Sequence, residues 1–346
     1  MAIYYASAAL TNTGTTGVAN DPNRPYDARV LLPSSGSPAN AVGDVIALKN
    51  DGVYSPASSF YFKGSRQILT AVATDGSMTN DRVTIDGAGL NSGFLARFES
   101  SSQSIIKGLS VRNNPYNSGC FVSATSNIFI GCDSFGHTGS GFTSFTGYGA
   151  NQYYYCRSWN NISYGFDLYP PYTRGVLANK CASWNNNKGD FYCRYQNSYN
   201  LNQLTGCVSQ PKTGAFGIYA EGSTFIAQCT IDGSQQAQAS NNIGIRISAG
   251  TLDMSVLMNN IVANFSTTGA LGYAIYNTKV SGRGNIAYNC AGNVYNTVLS
   301  PALITINPQF VDPSTRNFTP QADLSGIVPV EALMLEPNWM YPGAVR

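Results

Sequence analysis

Short apolar runs recur along the middle of the chain, and each run ends at the same column of residues. That column contains Leu109, Cys132, Cys156, Cys181, Cys207, Cys229 and Ile261. The five cysteines are 24, 25, 26 and 22 residues apart. One residue type that returns at such a period is typical of a solenoid, in which each repeat covers the core of its neighbour. The pattern therefore predicts a stack of similar repeats and not a disulfide framework.

A second run in each repeat begins at a column of small residues: Gly119, Gly141, Gly165, Asp190, Gly217, Gly244 and Gly272. Asp190 is the single departure from glycine, and Gly189 lies directly before it. Apolar residues such as Phe166 and Leu168 follow one and three positions after the column and alternate with more polar residues. This period of two is typical of a strand with one buried face. We therefore predict two strands in each repeat.

Repeats of about 22 to 28 residues with Asn, Gly and Ser turns do not suit helical repeats, which need longer helix-period runs. Strands that return to the same face pair in parallel with the repeat before them. The predicted fold is therefore all-β, a single right-handed parallel β-helix of about 9 to 11 rungs. We expect residues 1–82 to form an N-terminal cap and the first rungs, and residues 83–296 the regular coil. Residues 297–346 should form an extended C-terminal tail docked on the last rung, with one helix near residues 330–336.

Composition narrows the function classes. Only 11% of the 346 residues are charged and the net charge is +2, so nucleic acid is not an expected partner. No segment reaches eighteen apolar residues, so no membrane span is expected. The chain starts without the basic and apolar segments of a signal peptide. We therefore expect assembly in a host cytoplasm, where its eight cysteines would be free thiols.

The cysteine column is interpreted as a structural ladder of small buried side chains, because free cysteine is among the most buried residue types. Strand spacing near 4.8 Å is wider than the Cβ separation that a disulfide prefers. There is no Cys-x-x-Cys pair and one histidine, so no metal or cofactor is predicted. His137 is interpreted as a turn residue bonded to backbone, with a general base as the alternative.

A catalytic site would need reactive side chains at the outward-facing positions of the second predicted strand. The best acid pair is Asp167 and Glu221, two rungs and two residues apart, which places their Cα atoms near 12 Å. Arg194 lies between them, and Arg246 follows. The alternating signs favour a surface ladder of ion pairs over a catalytic site, although these three residues Asp167, Glu221 and Arg194 would carry any catalysis. Asp133 and Arg157 are interpreted as a second cross-strand pair.

Aromatic residues mark two further surfaces. Tyrosines on and beside the same outward columns predict an exposed strip that contacts a partner or a glycan, and this binding surface comprises Tyr169, Tyr192, Tyr219 and Tyr195. The alternative is that these tyrosines only cover the sheet. A second group, each three residues after the cysteine column, is expected to stack at a corner: Phe135, Trp159 and Trp184.

Motifs at both ends of the chain resemble the pectate-lyase-like right-handed parallel β-helix superfamily. They are Tyr4-Tyr5-Ala6-Ser7, Gly43-Asp44-Val45-Ile46, Asp51-Gly52-Val53-Tyr54, Asn307-Pro308-Gln309-Phe310-Val311-Asp312-Pro313 and Arg316-Asn317-Phe318. Members without a signal peptide include bacteriophage virion proteins, both tailspikes and capsid decorations. The resemblance implies either an enzyme that cuts acidic or complex polysaccharide or an elongated virion building block, commonly a homotrimer.

The residues favour the structural alternative. We expect a phage virion surface protein of the capsid decoration (cement) type, which contacts the major capsid protein or tail proteins. A tailspike is less favoured because no separate head-binding or trimerisation module fits outside the coil. A polysaccharide depolymerase, acting as a lyase or a glycoside hydrolase, is one alternative. The other is a glycan-binding module without turnover.

Overall fold

The computed structural model shows a parallel β-helix with three long sheets. It describes residues 2–32, 42–62, 65–91, 93–98, 103–122, 126–144, 151–169, 175–194, 201–234, 241–248, 255–276, 280–295, 304–315 and 317–321. Helix is almost absent from this part of the chain, where it is limited to α1 (Ala28–Leu31) and two short 3-10 turns (Ala8–Leu10 and Pro313–Thr315). None of the described helices has the length and apolar character needed to span a bilayer.

Strands follow one another closely throughout the described chain. The first third contains β1 (Ile3–Ser7), β2 (Tyr26–Asp27), β3 (Val45–Lys49), β4 (Val53–Tyr54), β5 (Phe60–Tyr61), β6 (Ile68–Val72), β7 (Val83–Asp86), β8 (Ala96–Phe98), β9 (Ile105–Lys107), β10 (Leu109–Arg112) and β11 (Cys120–Val122). The middle contains β12 (Ile128–Ile130), β13 (Asp133–Phe135), β14 (Phe142–Ser144), β15 (Gln152–Tyr154), β16 (Arg157–Trp159), β17 (Tyr164–Leu168), β18 (Leu177–Asn179), β19 (Ala182–Trp184), β20 (Gly189–Cys193), β21 (Asn202–Thr205), β22 (Val208–Gln210) and β23 (Phe216–Ala220). The last part contains β24 (Thr224–Ala227), β25 (Thr230–Asp232), β26 (Ile243–Ile247), β27 (Ser255–Met258), β28 (Ile261–Ala263), β29 (Leu271–Ile275), β30 (Val280–Arg283), β31 (Ile286–Tyr288), β32 (Val294–Tyr295), β33 (Phe310–Asp312) and β34 (Asn317–Pro320).

All of these strands except β33 and β34 form three parallel sheets that run the length of the coil. Among the described residues, sheet A has twelve strands in the order β2-β1-β3-β6-β9-β12-β15-β18-β21-β24-β27-β30. Sheet B has ten, from β4 and β7 through every third strand to β31, and sheet C has ten, from β5 and β8 through every third strand to β32. The predicted all-β parallel solenoid is therefore confirmed.

Each rung contains three strands, whereas the pattern predicted two. The predicted first run that ends at Cys132 contains β12 and then a corner at Gly131, whose φ is 59°, and the chain continues directly after the run into a further strand, β13. The same position in the next two rungs holds Tyr155 at φ 56° and Lys180 at φ 49°. A residue in the left-handed region turns the chain by a corner. The turn fell inside an apolar run, and only one residue marks it, so the pattern did not separate the two strands.

The core is a set of columns in which identical side chains lie one above another. Phe142, Phe166 and Phe191 on sheet C are fully buried and stack with ring centroids 4.9 Å apart at both steps. The predicted inward positions of the second run are therefore correct for these strands. All eight cysteines are free thiols, and Cys290 alone among them is not fully buried.

The cysteine ladder lies at the corner between sheets A and B. Each thiol donates to a carbonyl of the preceding rung, with Sγ–O distances of 3.6 Å from Cys156 to Phe129 and 3.4 Å from Cys181 to Tyr153. Burial raises the pKa of Cys132, Cys181 and Cys229 well above the ordinary value. These thiols therefore pack as neutral groups, and each finds a hydrogen-bond acceptor.

The tail covers the outer face of sheet B. Ile304 bridges in parallel to Ile286 at the end of that sheet, and β33 and β34 form an antiparallel hairpin. Phe318 of the hairpin is buried against Ala182 and Val208, with Trp184 packed beside them. The described tail thus lies along the middle of the coil, and not only on the last rung as expected. The division into three segments and the helix near residues 330–336 stay predictions, since residues 322–346 are outside the described part.

Candidate functional site

The outer face of sheet C carries the predicted outward residues in direct register. Asp167 on β17 pairs with Tyr192 on β20, Tyr192 with Tyr219 on β23, and Tyr219 with Arg246 on β26. Their inward neighbours, among them Phe166 and Phe191, fill the core and so fix which side of each strand faces outward. We refer to this surface as the sheet C face.

Asp167 and Arg194 form a tight ion pair at the centre of the sheet C face. Arg194 donates through Nε and Nη2 to the two carboxylate oxygens, with both distances 2.7 Å. The Asp167 side chain is 8% exposed and that of Arg194 is 37% exposed. Burial raises the pKa of Asp167, and the hydrogen bond and charge of Arg194 oppose that shift. Because both oxygens are engaged, Asp167 is a poor candidate for a free acid, base or nucleophile.

The other half of the predicted ion-pair ladder does not form. Within the described residues, the Glu221 carboxylate forms no salt bridge with Arg194 or Arg246. Burial raises the pKa of Tyr192, and a hydrogen bond to the Glu221 carboxylate raises it further. The Arg246 guanidinium lies over the ring of Tyr219, 4.6 Å from its centroid. The expectation that each charge pairs with the next is thus wrong after the first step, because aromatic rings occupy the space between the later charges.

Four aromatic rings join into one cluster on the sheet C face. Tyr192 and Tyr219 stack at 5.2 Å, Tyr164 lies 4.7 Å from Tyr192, and Phe216 contacts Tyr219 edge-on at 5.0 Å. The rings are half-buried, since they cover one another. The predicted strip is therefore less exposed than expected, and its rings pack against one another. Arg194 also lies over Tyr192, with 5.0 Å between the guanidinium carbon and the ring centroid.

Tyr164 and Phe216 were missed by the sequence pattern. A strict period of two places Tyr164 on the same side as Phe166, but Gly165 also points inward, where an added Cβ would lie 1.9 Å from Ser183 Oγ. Two consecutive inward residues move Tyr164 to the outside. The glycine at position 189 was one sequence signal for the placement of Phe216, because an added Cβ there would lie 2.3 Å from the Phe216 ring. Glycine there leaves the space that Phe216 occupies.

A groove of about 380 Å³ adjoins the Asp167–Arg194 pair. Its wall combines hydroxyl, amide and aromatic side chains with this ion pair: Phe94, Asn117, Ser118, Ser140, Thr143, Ser163, Asp167, Tyr169 and Arg194. Ser118 and Ser140 lie on successive rungs, and the backbone N–H of Ser140 donates to Ser118 Oγ at 3.0 Å. Tyr169 contributes a ring 5.9 Å from the Arg194 guanidinium. Tyr195, the fourth predicted binding residue, lies outside the described residues.

The remaining candidates have structural surroundings. His137 is 1% exposed, accepts at Nδ1 from the backbone N–H of Asn114 at 3.0 Å, and burial lowers its pKa to about 3. Phe135, Trp159 and Trp184 stack on the outside of sheet B with centroid distances of 4.1 and 4.8 Å. No group of three His, Cys, Asp or Glu side chains in the described residues is placed to hold a metal ion.

The proteins that are similar to this chain are solved structures, and the similarity is one of fold. No protein-family model and no curated protein matches the chain. A crystal structure of pectate lyase Pel9A matches with 17% identity and a TM-score of 0.48, over 96% of this chain and 88% of that one. The ORF18 protein of Geobacillus virus E2 matches with 14% identity and a TM-score of 0.49, over 85% of this chain and 60% of that one. The parallel β-helix fold of this chain is established by its own three-sheet topology.

Proposed function

We propose that this protein is a structural, non-catalytic component of a phage-type virion surface, of the capsid decoration type, and that it contacts a partner protein through the sheet C face. The observation that carries the proposal is the cluster of Tyr164, Tyr192, Phe216 and Tyr219 with Arg194 and Arg246 packed on its rings. Tyrosine and arginine are the residue types that dominate the centres of protein interfaces. Rings already fixed by their neighbours lose little conformational freedom on binding.

The chemistry of the acids supports a non-catalytic role. A glycoside hydrolase needs two carboxyl groups about 5 to 9.5 Å apart that can reach the same bond. Asp167 on β17 is bound at both oxygens by Arg194. Glu221 directly follows β23, two strands from β17, and interacts with Tyr192 on the intervening strand β20. The proposed virion location and homotrimer rest on the family resemblance of the terminal motifs, and assembly in a host cytoplasm is proposed together with them. Sedimentation of the purified protein at three times its chain mass would support the trimer.

Removing a ring from the sheet C face is expected to weaken binding to capsids. Tyr219→Ala should lower the affinity for purified capsids of the phage that carries this gene by at least tenfold, about 1.4 kcal/mol, because it removes a ring in contact with Tyr192, Phe216 and Arg246. Binding would be measured by co-sedimentation with separated capsids and tails.

Tyr155→Ala provides the matched control, since Tyr155 is 37% exposed and lies at the corner between sheets A and B. It should bind as the unaltered protein does, and both variants should keep the native melting temperature within a few degrees. Binding to tails alone, or equal losses in the two variants, would contradict the proposed function.

A glycan-binding role is the second candidate, and the groove beside Tyr169 favours it. Stacked hydroxyls, an ion pair and an aromatic ring are the groups that hydrogen-bond and cover a sugar. Incubation with host surface polysaccharide, with chain length measured over time, separates the alternatives. Binding without shortening would favour the glycan module. Shortening that disappears in Asp167→Asn and Glu221→Gln would instead identify a depolymerase and refute the non-catalytic proposal.

A further inference from the structure

Asp190 is the one departure from glycine in the column that begins the second predicted run, and it is fully buried. It lies on β20, at the inner corner between sheets B and C. At the equivalent Gly141 and Gly165, an added Cβ would lie 1.9 Å from the serine Oγ of the next rung. A side chain at this column therefore meets serine hydroxyl groups. The Asp190 carboxyl group forms hydrogen bonds with them.

An inner ladder of polar side chains runs up this corner. The backbone N–H of His137 donates to Asn161 Oδ1 at 3.1 Å, and the backbone N–H of Asn161 donates to Asn186 Oδ1 at 3.0 Å. The side-chain amide of Asn161 also donates to Asn186 Oδ1, at 2.8 Å. Each ladder side chain thus accepts a hydrogen bond from the rung before it. The N–H groups of the same residue in turn need an acceptor in the rung after it.

Asp190 ends the ladder. The next rung has Lys212 and Thr213 near the ladder position and no asparagine there. The Asn186 side-chain amide instead donates to Asp190 Oδ1 at 2.8 Å. Ser183 Oγ lies 3.2 Å from the same oxygen, and Ser209 Oγ lies 2.6 Å from Oδ2. The acid supplies the last acceptor that the buried amide requires.

Among the described residues, no charged side chain of the surrounding elements compensates this acid. It is faced by Ser183 of β19, Asn186 of the turn, Ser209 of β22, the Gln210 backbone N–H and the side-chain-free Gly165 of β17. Cys193 on its own strand is a buried thiol whose pKa burial raises. Lys188 and Arg194 lie on the outside, over the rings of Tyr164 and Tyr192. The buried Asp133 and Asp167 differ, because each binds an arginine.

We propose that Asp190 is a pH-sensitive element of the coil: when protonated it closes the inner ladder, and when ionised it loosens the rung that carries Tyr192 and Arg194. In the protonated form Oδ2 donates its proton to Ser209 Oγ and Oδ1 still accepts from Asn186. In the ionised form a full negative charge lies in the interior with neutral donors alone, which is unfavourable. The inference concerns the coil itself and does not depend on what the sheet C face binds.

The direction of the pH effect follows from the surroundings. Burial raises the pKa of Asp190 to about 7, and hydrogen bonds from Ser209, Asn186 and Ser183 limit the shift. An unfolded aspartate loses its proton near pH 4. Between pH 4 and 7 the unfolded chain therefore releases a proton that the folded chain keeps, so stability falls as the pH rises. Above pH 7 both states are ionised at this position, and its contribution levels off.

Urea unfolding at pH 4 to 9 tests the titration. The contribution of Asp190 should raise the unfolding equilibrium constant by up to about tenfold for each pH unit between pH 4 and 7. Asp190→Asn should remove that contribution and be more stable than the unaltered protein at pH 8. Asp75→Asn is the matched control, since Asp75 is an exposed acid that binds Ser77, and it should keep the pH dependence. Parallel pH profiles of the unaltered protein and Asp190→Asn would overturn the proposal.

A measurement on the unaltered protein alone keeps the proposal testable if Asp190→Asn folds poorly, and a second compares the two proteins if the variant folds. In unaltered protein labelled with ¹³C at aspartate carboxyl groups, one signal should titrate near pH 7, and a set of signals that all titrate below pH 5 would overturn it. Amide hydrogen exchange at Tyr192, measured at pH 8, should be faster in the unaltered protein than in the variant. Equal rates at the same pH would refute the loosening of β20.

Discussion

Replacing Phe166 by alanine is expected to lower the free energy of unfolding by about 4 kcal/mol. Phe166 is fully buried and lies between the rings of Phe142 and Phe191, with Tyr153 against its edge. Removing its ring leaves a cavity in the middle of a continuous stack, and the backbone cannot close it because β17 is hydrogen-bonded to a strand on each side. Urea denaturation of the two proteins at one pH measures the loss.

Two controls separate the cavity from other effects. Phe166→Leu keeps much of the volume and should cost less than about 1.5 kcal/mol. Phe135→Ala removes a half-buried ring from the outer stack on sheet B and should cost less than half as much as Phe166→Ala. If Phe135→Ala were the more destabilising of the two, the assignment of inside and outside in these rungs would be wrong.

Replacing Asp133 by alanine is expected to cost about 3 to 5 kcal/mol, the range for removing one partner of a buried ion pair. Asp133 binds Arg157 at 2.8 and 2.6 Å, and Arg82 approaches the same carboxylate at 3.3 Å. The side chains are 5%, 13% and 15% exposed for Asp133, Arg157 and Arg82. The predicted cross-strand pair is thus a cluster of three, and the variant would leave two shielded guanidinium groups without this acid.

Asp86→Ala is the matched comparison, because Asp86 binds Arg112 at 2.8 Å on the same sheet but the arginine is 36% exposed. Water can solvate Arg112 once the acid is gone, so the expected cost is about 1 kcal/mol or less. Thermal unfolding at low and high salt measures both variants. Equal costs at Asp133 and Asp86 would show that shielding from solvent does not govern these pairs.

The sequence pattern predicted the core columns well because they repeat. Phe142, Phe166 and Phe191 could be assigned to the inside, since each burial position returns at the same place in the next rung. The three-strand rung could not be predicted in the same way. The corner between sheets A and B needs one residue with positive φ, and Tyr155 and Lys180 occupy it in two rungs although they are not typical turn residues.

The candidate site shows the same division. Tyr192, Tyr219 and Arg246 were placed on the sheet C face from their alternation, and their register confirms the placement. The partners of the charges were not predictable, since they depend on which side chain reaches furthest across the face. Glu221 meets a tyrosine hydroxyl and Arg246 meets tyrosine rings, while Arg194 alone of these residues meets an acid.

By itself the sequence determined the class of fold, the order of its rungs and the inward columns, because a solenoid repeats one local pattern and each repeat buries it against the last. Only the tertiary structure decided where the chain turns between the sheets and which side chains meet at those corners. It placed Tyr164 and Phe216 on the sheet C face, laid the tail along sheet B, and made Asp190 the end of an inner ladder. These features depend on contacts between residues far apart in the chain, at corners where the period of two does not hold.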